Sequence, residues 1–124
     1  MSLPGLVKLR RDLLYLKDAI VHTERALLYV SDIDLNQLEE DSMRFDAVLR
    51  NLQIIGEAVK QIPDDLRDLQ PQIPWTKIAG IRNLLVHHYF HVDSEIVTDI
   101  CRNHLLPLRD ALRAIAAEFP ELMI

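Results

Sequence analysis

The chain has 124 residues, of which 49% are hydrophobic and only three are glycine. This length predicts one domain, residues 1–124, with a single buried core, and the composition is unlike that of a disordered chain. The 14 lysines and arginines against 19 aspartates and glutamates give a net charge of −5. A general nucleic-acid binder usually carries a basic stripe, so any contact with nucleic acid must be local here.

The cysteine count and the hydropathy pattern bear on the location of the protein. Cys101 is the only cysteine, which excludes an internal disulfide and fits a reducing compartment. The sequence contains no run of ~20 apolar residues and no basic-then-apolar leader. These features predict a soluble, cytoplasmic protein.

Apolar residues at helical spacing predict two long amphipathic helices in the first half of the chain. The first runs from about residue 6 to 29, and the second runs from about residue 42 to 62, with Ser42 as a suitable N-cap. The acidic segment 31–41 between them predicts a loop with one short helical turn. Gly56, inside the second helix, costs about 1 kcal/mol relative to alanine. We therefore expect another helix to approach the backbone closely at this glycine.

The second half of the chain predicts two more helices after a proline-rich link. One begins near Pro74 and ends around Tyr89 or Phe90. The last helix can be capped by Asp93 or Ser94, and Pro107 must kink or split it because proline has no N–H to donate. No alternating strand pattern is visible. The sequence as a whole predicts an all-α, up-and-down bundle of four to five helices.

The stretch from Gly80 to Phe90 carries the most chemistry. If it is helical, Arg82 and Tyr89 lie seven residues apart on one line, and Asn83 and His87 lie four apart on the same face. Arginine can bind a phosphate with two donors, and histidine can transfer protons near neutral pH. Asn83 could orient either the imidazole or the phosphate, and the Tyr89 hydroxyl adds a donor. In the alternative interpretation, Arg82 pairs with a glutamate and His87 is a satisfied core histidine.

Three other candidate sites are weaker. His87 and His91 have a spacing that can bind zinc, but a glutamate next to the first histidine and further Cys or His ligands are missing. We therefore predict no metal and no cofactor. Cys101 has apolar neighbours and should be an inert thiol. Glu57 could act as a general base, although a glutamate within a helix is more often a surface residue or a partner in an ion pair.

Taken together, these residues resemble a HepT-like protein of the HEPN (higher eukaryotes and prokaryotes nucleotide-binding) superfamily. The resemblance covers about residues 10–118, and its central piece is Arg-x4-His-x-Tyr with an asparagine directly after the arginine. The supporting pieces stand in the order of the family: Ile55-Gly56-Glu57-Ala58, then Pro74-Trp75, then Arg82-Asn83, His87 and Tyr89, then Phe90-x-Val92-Asp93. His88 fills a variable position of the signature, so no role is carried over to it.

The resemblance implies a fold, an activity and a partner. HepT-like proteins are helical bundles that form homodimers, in which two signature motifs face each other across a cleft. They are toxins of two-gene toxin–antitoxin modules and resemble metal-independent ribonucleases. Their partner is a minimal nucleotidyltransferase of the MntA type, which can neutralise the toxin by transferring AMP to the signature tyrosine, here Tyr89.

The resemblance also implies roles for the candidate residues. We expect His87 to be the acid and base, Arg82 to stabilise the transition-state charge, and Asn83 to position the histidine or the phosphate. Tyr89 would lie at the cleft mouth, where AMP would oppose incoming RNA. The net charge favours one structured substrate, such as a tRNA, over nonspecific RNA binding. Two alternatives stay open: a non-catalytic HEPN dimer that binds a nucleotide or a nucleotidyltransferase, and a structural dimer with a buried Arg–His network.

Overall fold

The computed structural model describes residues 2–88 and 91–123 of the chain. Helices make up most of this part, and the all-α class predicted from the sequence is confirmed. The elements in chain order are α1 (Leu3–Val30), a 3₁₀ helix (Leu35–Glu40), α2 (Ser42–Gln61), α3 (Asp64–Arg67), α4 (Trp75–Ala79), α5 (Ile81–Leu85), β1 (Val86–His88), β2 (His91–Val92), α6 (Ser94–Asn103) and α7 (Leu105–Ala116).

The core lies between α1, α2 and α7. Helix α1 packs along α2 and also contacts α7, and α2 contacts α4 and α5 on its other side. Helices α1, α2, α5 and α7 each contribute fully buried aliphatic side chains, among them Leu16, Leu52, Ile55, Leu85 and Leu112. Each buried side chain of this size contributes roughly 1.5–3 kcal/mol relative to an exposed position. Helices α1 and α2 therefore form a central hairpin against which the shorter helices pack.

The connection between α1 and α2 contains the short helical turn predicted for the acidic segment. The expected N-cap of α2 was wrong by one residue, because Ser42 is already helical and Asp41 is the cap. Asp41 has non-helical dihedral angles, which a cap requires, and its Oδ1 accepts a hydrogen bond from the Arg44 backbone N–H at 3.2 Å. The Arg44 guanidinium also donates to the Tyr29 carbonyl oxygen at 2.8 Å and to Asp32 at 2.6 Å. This arginine ties the end of α1 to the start of α2.

The helix predicted from Pro74 to Tyr89 or Phe90 is not continuous. Helix α4 ends at Ala79 and is followed by the C-cap Gly80, which has φ −93° and ψ 14°, and α5 then adds five residues up to Leu85. The next residues form β1, which pairs antiparallel with β2 and has an irregular register between Val86 and His88. The β-branched Val86 is a poor helix former, and the strand pairing satisfies backbone groups that a longer helix would otherwise bond.

This break corrects two geometric predictions from the sequence. Asn83 and His87 are not four residues apart on one helix, because Asn83 lies in α5 and His87 lies in β1. The predicted helix that would carry Arg82 also ends at Leu85, before it reaches Tyr89. Tyr89 itself lies outside the described residues. The short strands were not predicted, since β1 and β2 together are too brief to show an alternating pattern.

The last predicted helix is split as expected. Helix α6 begins after Asp93, whose Oδ1 accepts from the backbone N–H groups of Glu95 and Ile96 at 3.0 and 3.3 Å. It ends at Asn103, and α7 begins at Leu105, so that Pro107 occupies the first turn of α7. A proline is tolerated there because the first N–H groups of a helix have no intrahelical partner. None of the helices in the described part of the chain is both long and apolar enough to cross a membrane.

Candidate active site

The candidate site forms where α2 passes α4 and α5. A Cβ atom placed on Gly56 of α2 would lie 2.5 Å from Ile81 Cγ2 and 3.1 Å from the Ile78 carbonyl oxygen. Real Cβ atoms do not come this close to their neighbours, so only glycine allows this approach. The close helix approach predicted from Gly56 is therefore confirmed. The contact fixes α5 against the middle of α2.

Glu57, which follows Gly56 on α2, and Arg82, which follows Ile81 on α5, line the same pocket. Gly56 and Ile81 are buried, whereas the next residues, Glu57 and Arg82, are exposed. The pocket has a volume of about 360 Å³, and its lining residues come from α2 and from the α4–α5 turn: Glu57, Lys60, Ala79, Gly80, Arg82 and Asn83. Two of the four predicted site residues, Arg82 and Asn83, are thus side by side in one cleft.

The Arg82 guanidinium is available for a ligand. In residues 2–88 and 91–123, no carboxylate lies within ion-pair distance of Arg82. The arginine–glutamate pair considered as an alternative is therefore absent from the described part of the chain. The Asn83 backbone N–H donates to the Gly80 carbonyl oxygen at 2.9 Å, which starts α5 and holds the exposed carboxamide next to Arg82. An exposed guanidinium beside a carboxamide can bind a phosphate through several donors.

The other two predicted site residues follow shortly after this pocket. The backbone of His87 lies in β1, at the irregularity in the pairing with β2. Bulges and similar irregularities often occur next to active sites, where they change the direction of a side chain. Tyr89, the predicted modification site, lies outside the described residues. The roles of His87 and Tyr89 therefore stay predictions.

Sequence reasoning missed one member of the pocket and left another undecided. Lys60 was not recognised as a candidate, although it lies three residues after Glu57 and hence on the same face of α2. Glu57 was left as either a base or a surface residue, and the structure places it in the pocket. The signal for both was Gly56, which marks the point of α2 that faces α5.

The expectation for Cys101 agrees with the structure. Cys101 belongs to α6, and its side chain is buried. Burial raises the pKa of the Cys101 thiol to about 11, because a thiolate is poorly solvated in apolar surroundings. This thiol is therefore neither part of the pocket nor a reactive nucleophile.

Comparison with known proteins identifies the family. The HepT-like family, described as Ribonuclease HepT-like, matches residues 17–115. This match covers most of the helical domain, including Arg82 and Asn83 at the start of α5, and it defines the domain as HepT-like, a class of the HEPN superfamily. The chain belongs to this family of ribonucleases.

Several named proteins are similar over most of their length. The chain is 36% identical to "Putative RNase MJ0127" of Methanocaldococcus jannaschii, over 72% of this chain and 74% of that protein. It is 32% identical to "Putative RNase TTE0752" of Caldanaerobacter subterraneus, over 82% and 90%. It is 39% identical to "Probable ribonuclease HepT" of Thermococcus cleftensis, over 67% and 76%. No solved structure matches the chain.

Proposed function

We propose that this protein is a metal-independent RNA endonuclease and the toxin of a toxin–antitoxin pair of the HepT/MntA kind. The observation that carries the proposal is the exposed Arg82, which pairs with no carboxylate in the described part of the chain and lies beside Asn83 in a pocket of about 360 Å³, in a chain of the HepT-like family. A guanidinium that no described carboxylate neutralises keeps its full charge for an anionic substrate. The phosphodiester of RNA is such a substrate.

The proposed reaction divides the chemistry between His87, Arg82 and Asn83. A histidine takes the proton of a ribose 2′-hydroxyl, and the 2′-oxygen forms a bond to phosphorus. The bond from phosphorus to the 5′-oxygen breaks, and this oxygen receives a proton from a second histidine. Arg82 stabilises the charge on the phosphorane, and Asn83 positions the phosphate. The products are a 2′,3′-cyclic phosphate and a 5′-hydroxyl.

A homodimer supplies the second histidine that this reaction needs. One chain has one His87 and one Arg82, and a two-fold axis gives two of each in one cleft. The exposed face of α1 supports such an arrangement because Leu14, Val21 and Leu28 form an apolar row on it. This row lies near the candidate site: Asp18 of α1 lines one groove together with Glu57, and Glu57 also lines the Arg82 pocket.

Regulation by a partner completes the proposal. We propose that a nucleotidyltransferase of the MntA type transfers AMP from ATP to the Tyr89 hydroxyl and releases pyrophosphate. The added phosphate brings bulk and negative charge within a few residues of Arg82, where both oppose the binding of RNA. The net charge of −5 already disfavours nonspecific RNA, so a local change of charge at the cleft has a large effect.

The test compares RNA cleavage by the wild type and by His87→Ala in the presence of EDTA. The chain is first checked by intact mass for AMP. We expect cleavage of total RNA or tRNA by the wild type, 2′,3′-cyclic phosphate ends, and loss of cleavage in His87→Ala. His88→Ala is the matched control, because this neighbouring histidine fills a variable position of the signature.

Two results of this test would contradict the proposal. Equal cleavage by wild type and His87→Ala would remove the catalytic role of the histidine. The second candidate is a non-catalytic HEPN dimer that binds nucleotides or a nucleotidyltransferase. It would be favoured if the AMP-free wild type binds a nucleotide but cuts neither total RNA nor tRNA. The observation that favours this second candidate is the pocket itself, because Lys60 and Arg82 in its lining could bind the phosphate of a nucleotide.

A further inference from the structure

Two charged residues of the Arg82 pocket have no part in the proposed cleavage chemistry. Glu57 and Lys60 lie three residues apart on α2, so they share the face that borders the pocket. Both are exposed. Among the side chains that the structure describes, which leave out those of residues 86–91, neither forms an ion pair. Glu57 and Lys60 are not within ion-pair distance of each other, and an exposed pair of this kind is weak, so both charges can turn to a ligand at the edge of the cleft.

The chemistry of the pocket suits a ligand that has both an anionic group and N–H donors. Lys60 and Arg82 present two cations, and Asn83 adds an amide. Glu57 adds a carboxylate, which is only an acceptor when ionised. A phosphate satisfies the cations but not the carboxylate, and a base with N–H groups satisfies the carboxylate but not the cations. A nucleotide offers both.

The shape of the pocket agrees with this chemistry. Its volume of about 360 Å³ lies within the range of small-molecule sites, roughly 300–1,000 Å³. The wall opposite α2 is formed by Ala79 and Gly80, which lack long side chains. A flat ring can therefore enter between α2 and the α4–α5 turn.

We propose that this pocket binds one nucleotide of the RNA and selects guanine. Lys60 binds the phosphate of that nucleotide together with Arg82, and Glu57 accepts hydrogen bonds from the base. Guanine presents two adjacent donors on its Watson–Crick edge, N1–H and the N2 amino group, and one carboxylate can accept both. Uracil presents a single N–H between two carbonyl oxygens, which the carboxylate repels. Single-stranded RNA is commonly read on this edge.

The inference rests on the proposed function in that Arg82 binds the phosphate at which the RNA is cut. The nucleotide in the pocket is then the neighbour of the scissile bond. Lys60 and Glu57 are positioning and specificity residues here, and neither exchanges a proton with the reacting atoms.

The experiment measures binding and not cleavage, so that it can succeed or fail apart from the endonuclease proposal. Short 2′-O-methyl RNA probes, identical except for one guanine or one uracil, are titrated into the AMP-free His87→Ala chain and followed by amide NMR. We expect the guanine probe to bind about tenfold more tightly, with the largest shifts at residues 56–61 and 79–83. Glu57→Gln should reduce this preference to about twofold or less.

The lysine variants test the phosphate contact. Lys60→Ala should weaken both probes about tenfold, and Lys60→Arg should restore most of the affinity. Lys77→Ala is the matched control, because Lys77 is also exposed but lines a different groove. Circular dichroism establishes that each variant is folded.

Three results would overturn the inference: equal affinity for both probes in the parent chain, an equal effect of Lys60→Ala and Lys77→Ala, or shifts confined to other helices. Guanine-selective binding without any RNA cleavage by the wild type would support this pocket and contradict the endonuclease. Cleavage that is unaffected by Glu57→Gln and Lys60→Ala would support the endonuclease and contradict this pocket.

Discussion

Gly56 and Ile81 are in direct contact across the helix crossing that holds the candidate site, and a Cβ on Gly56 would lie 2.5 Å from Ile81 Cγ2. Alanine at this position would gain about 1 kcal/mol of helix propensity. Overpacking of a tight contact costs typically 1–3 kcal/mol. The second effect should prevail, since the Ile78 backbone also blocks the added methyl group at 3.1 Å.

We therefore expect Gly56→Ala to lower the melting temperature and to reduce RNA cleavage, because α5 and Arg82 must move outward. Thermal unfolding followed by circular dichroism checks the stability. Gly80→Ala is the control for stability, because a Cβ there would lie 3.4 Å from the Thr76 carbonyl oxygen, an ordinary contact. A Gly56→Ala chain at least as stable as the wild type would show that the crossing can relax freely.

The apolar row on α1 leads to a prediction about assembly. Leu14 is 62% exposed in the single chain. If this face is the dimer interface, Leu14→Glu buries an unpaired charge there and should weaken the dimer by about 2 kcal/mol or more. Sedimentation velocity measures the change, and RNA cleavage should fall in parallel because the proposed reaction takes one histidine from each of two chains.

Leu106→Glu is the matched control for this assembly experiment. Leu106 is 49% exposed on α7 and is not part of the α1 row, so its substitution should leave both dimerisation and cleavage unchanged. A dimer that tolerates Leu14→Glu but dissociates with Leu106→Glu would place the interface on α7 instead.

Asn51 leads to a prediction about the α1–α2 hairpin. This buried asparagine donates to the Ala47 carbonyl oxygen at 2.8 Å, and its Oδ1 pairs with His22 Nδ1 of α1 at 2.8 Å. Asn51→Ala leaves the His22 nitrogen and the carbonyl without these partners and should cost about 1–3 kcal/mol. Urea unfolding gives the value.

The control for Asn51 is an asparagine on the surface. Asn103 donates to Asp99 at 2.7 Å in an exposed position, where water can replace the lost bond. Asn103→Ala should therefore change the free energy of unfolding by less than about 0.5 kcal/mol. Equal effects of the two variants would mean that the Asn51–His22 pair contributes nothing beyond a surface contact.

Cys101 gives a prediction about alkaline pH. Burial raises the pKa of its thiol from 9.0 to about 11 in the folded chain. The unfolded state therefore loses the proton first as pH rises, so this group's contribution to stability is complete below pH 9 and is lost between pH 9 and about 11. Urea unfolding across this window should show a decline that is smaller in Cys101→Ala.

The same burial predicts slow chemistry at the thiol. A disulfide reagent should label Cys101 in the folded chain far more slowly than in urea, because the thiolate is the reactive form and the side chain is 6% exposed. Rapid labelling of the folded chain would contradict the packing of α6 described here.

Local chemistry was enough to predict several elements of the fold from the sequence. A cap at Asp93 or Ser94, a break of the last helix by Pro107 and a tight crossing at Gly56 follow from the backbone needs of single residues. The structure confirms all three, with Asp93 as the cap. The sequence also predicted that Arg82 and Asn83 lie next to each other at the site, because neighbours in sequence stay neighbours in any conformation.

Contacts between distant parts of the chain decided the rest. The sequence around Gly80 and Val86 has helical spacing, yet α5 stops at Leu85 because residues 91 and 92 offer a strand partner. Lys60 belongs to the pocket only because the Gly56 crossing brings α2 against the α4–α5 turn. The sequence by itself determined the two long helices of the first half and the positions of the family signature, because both depend on local patterns of residues. Only the tertiary structure decided which side chains of α2 face that signature. The hydrophobic periodicity of a helix indicates its buried face, but it does not indicate which other helix packs against that face.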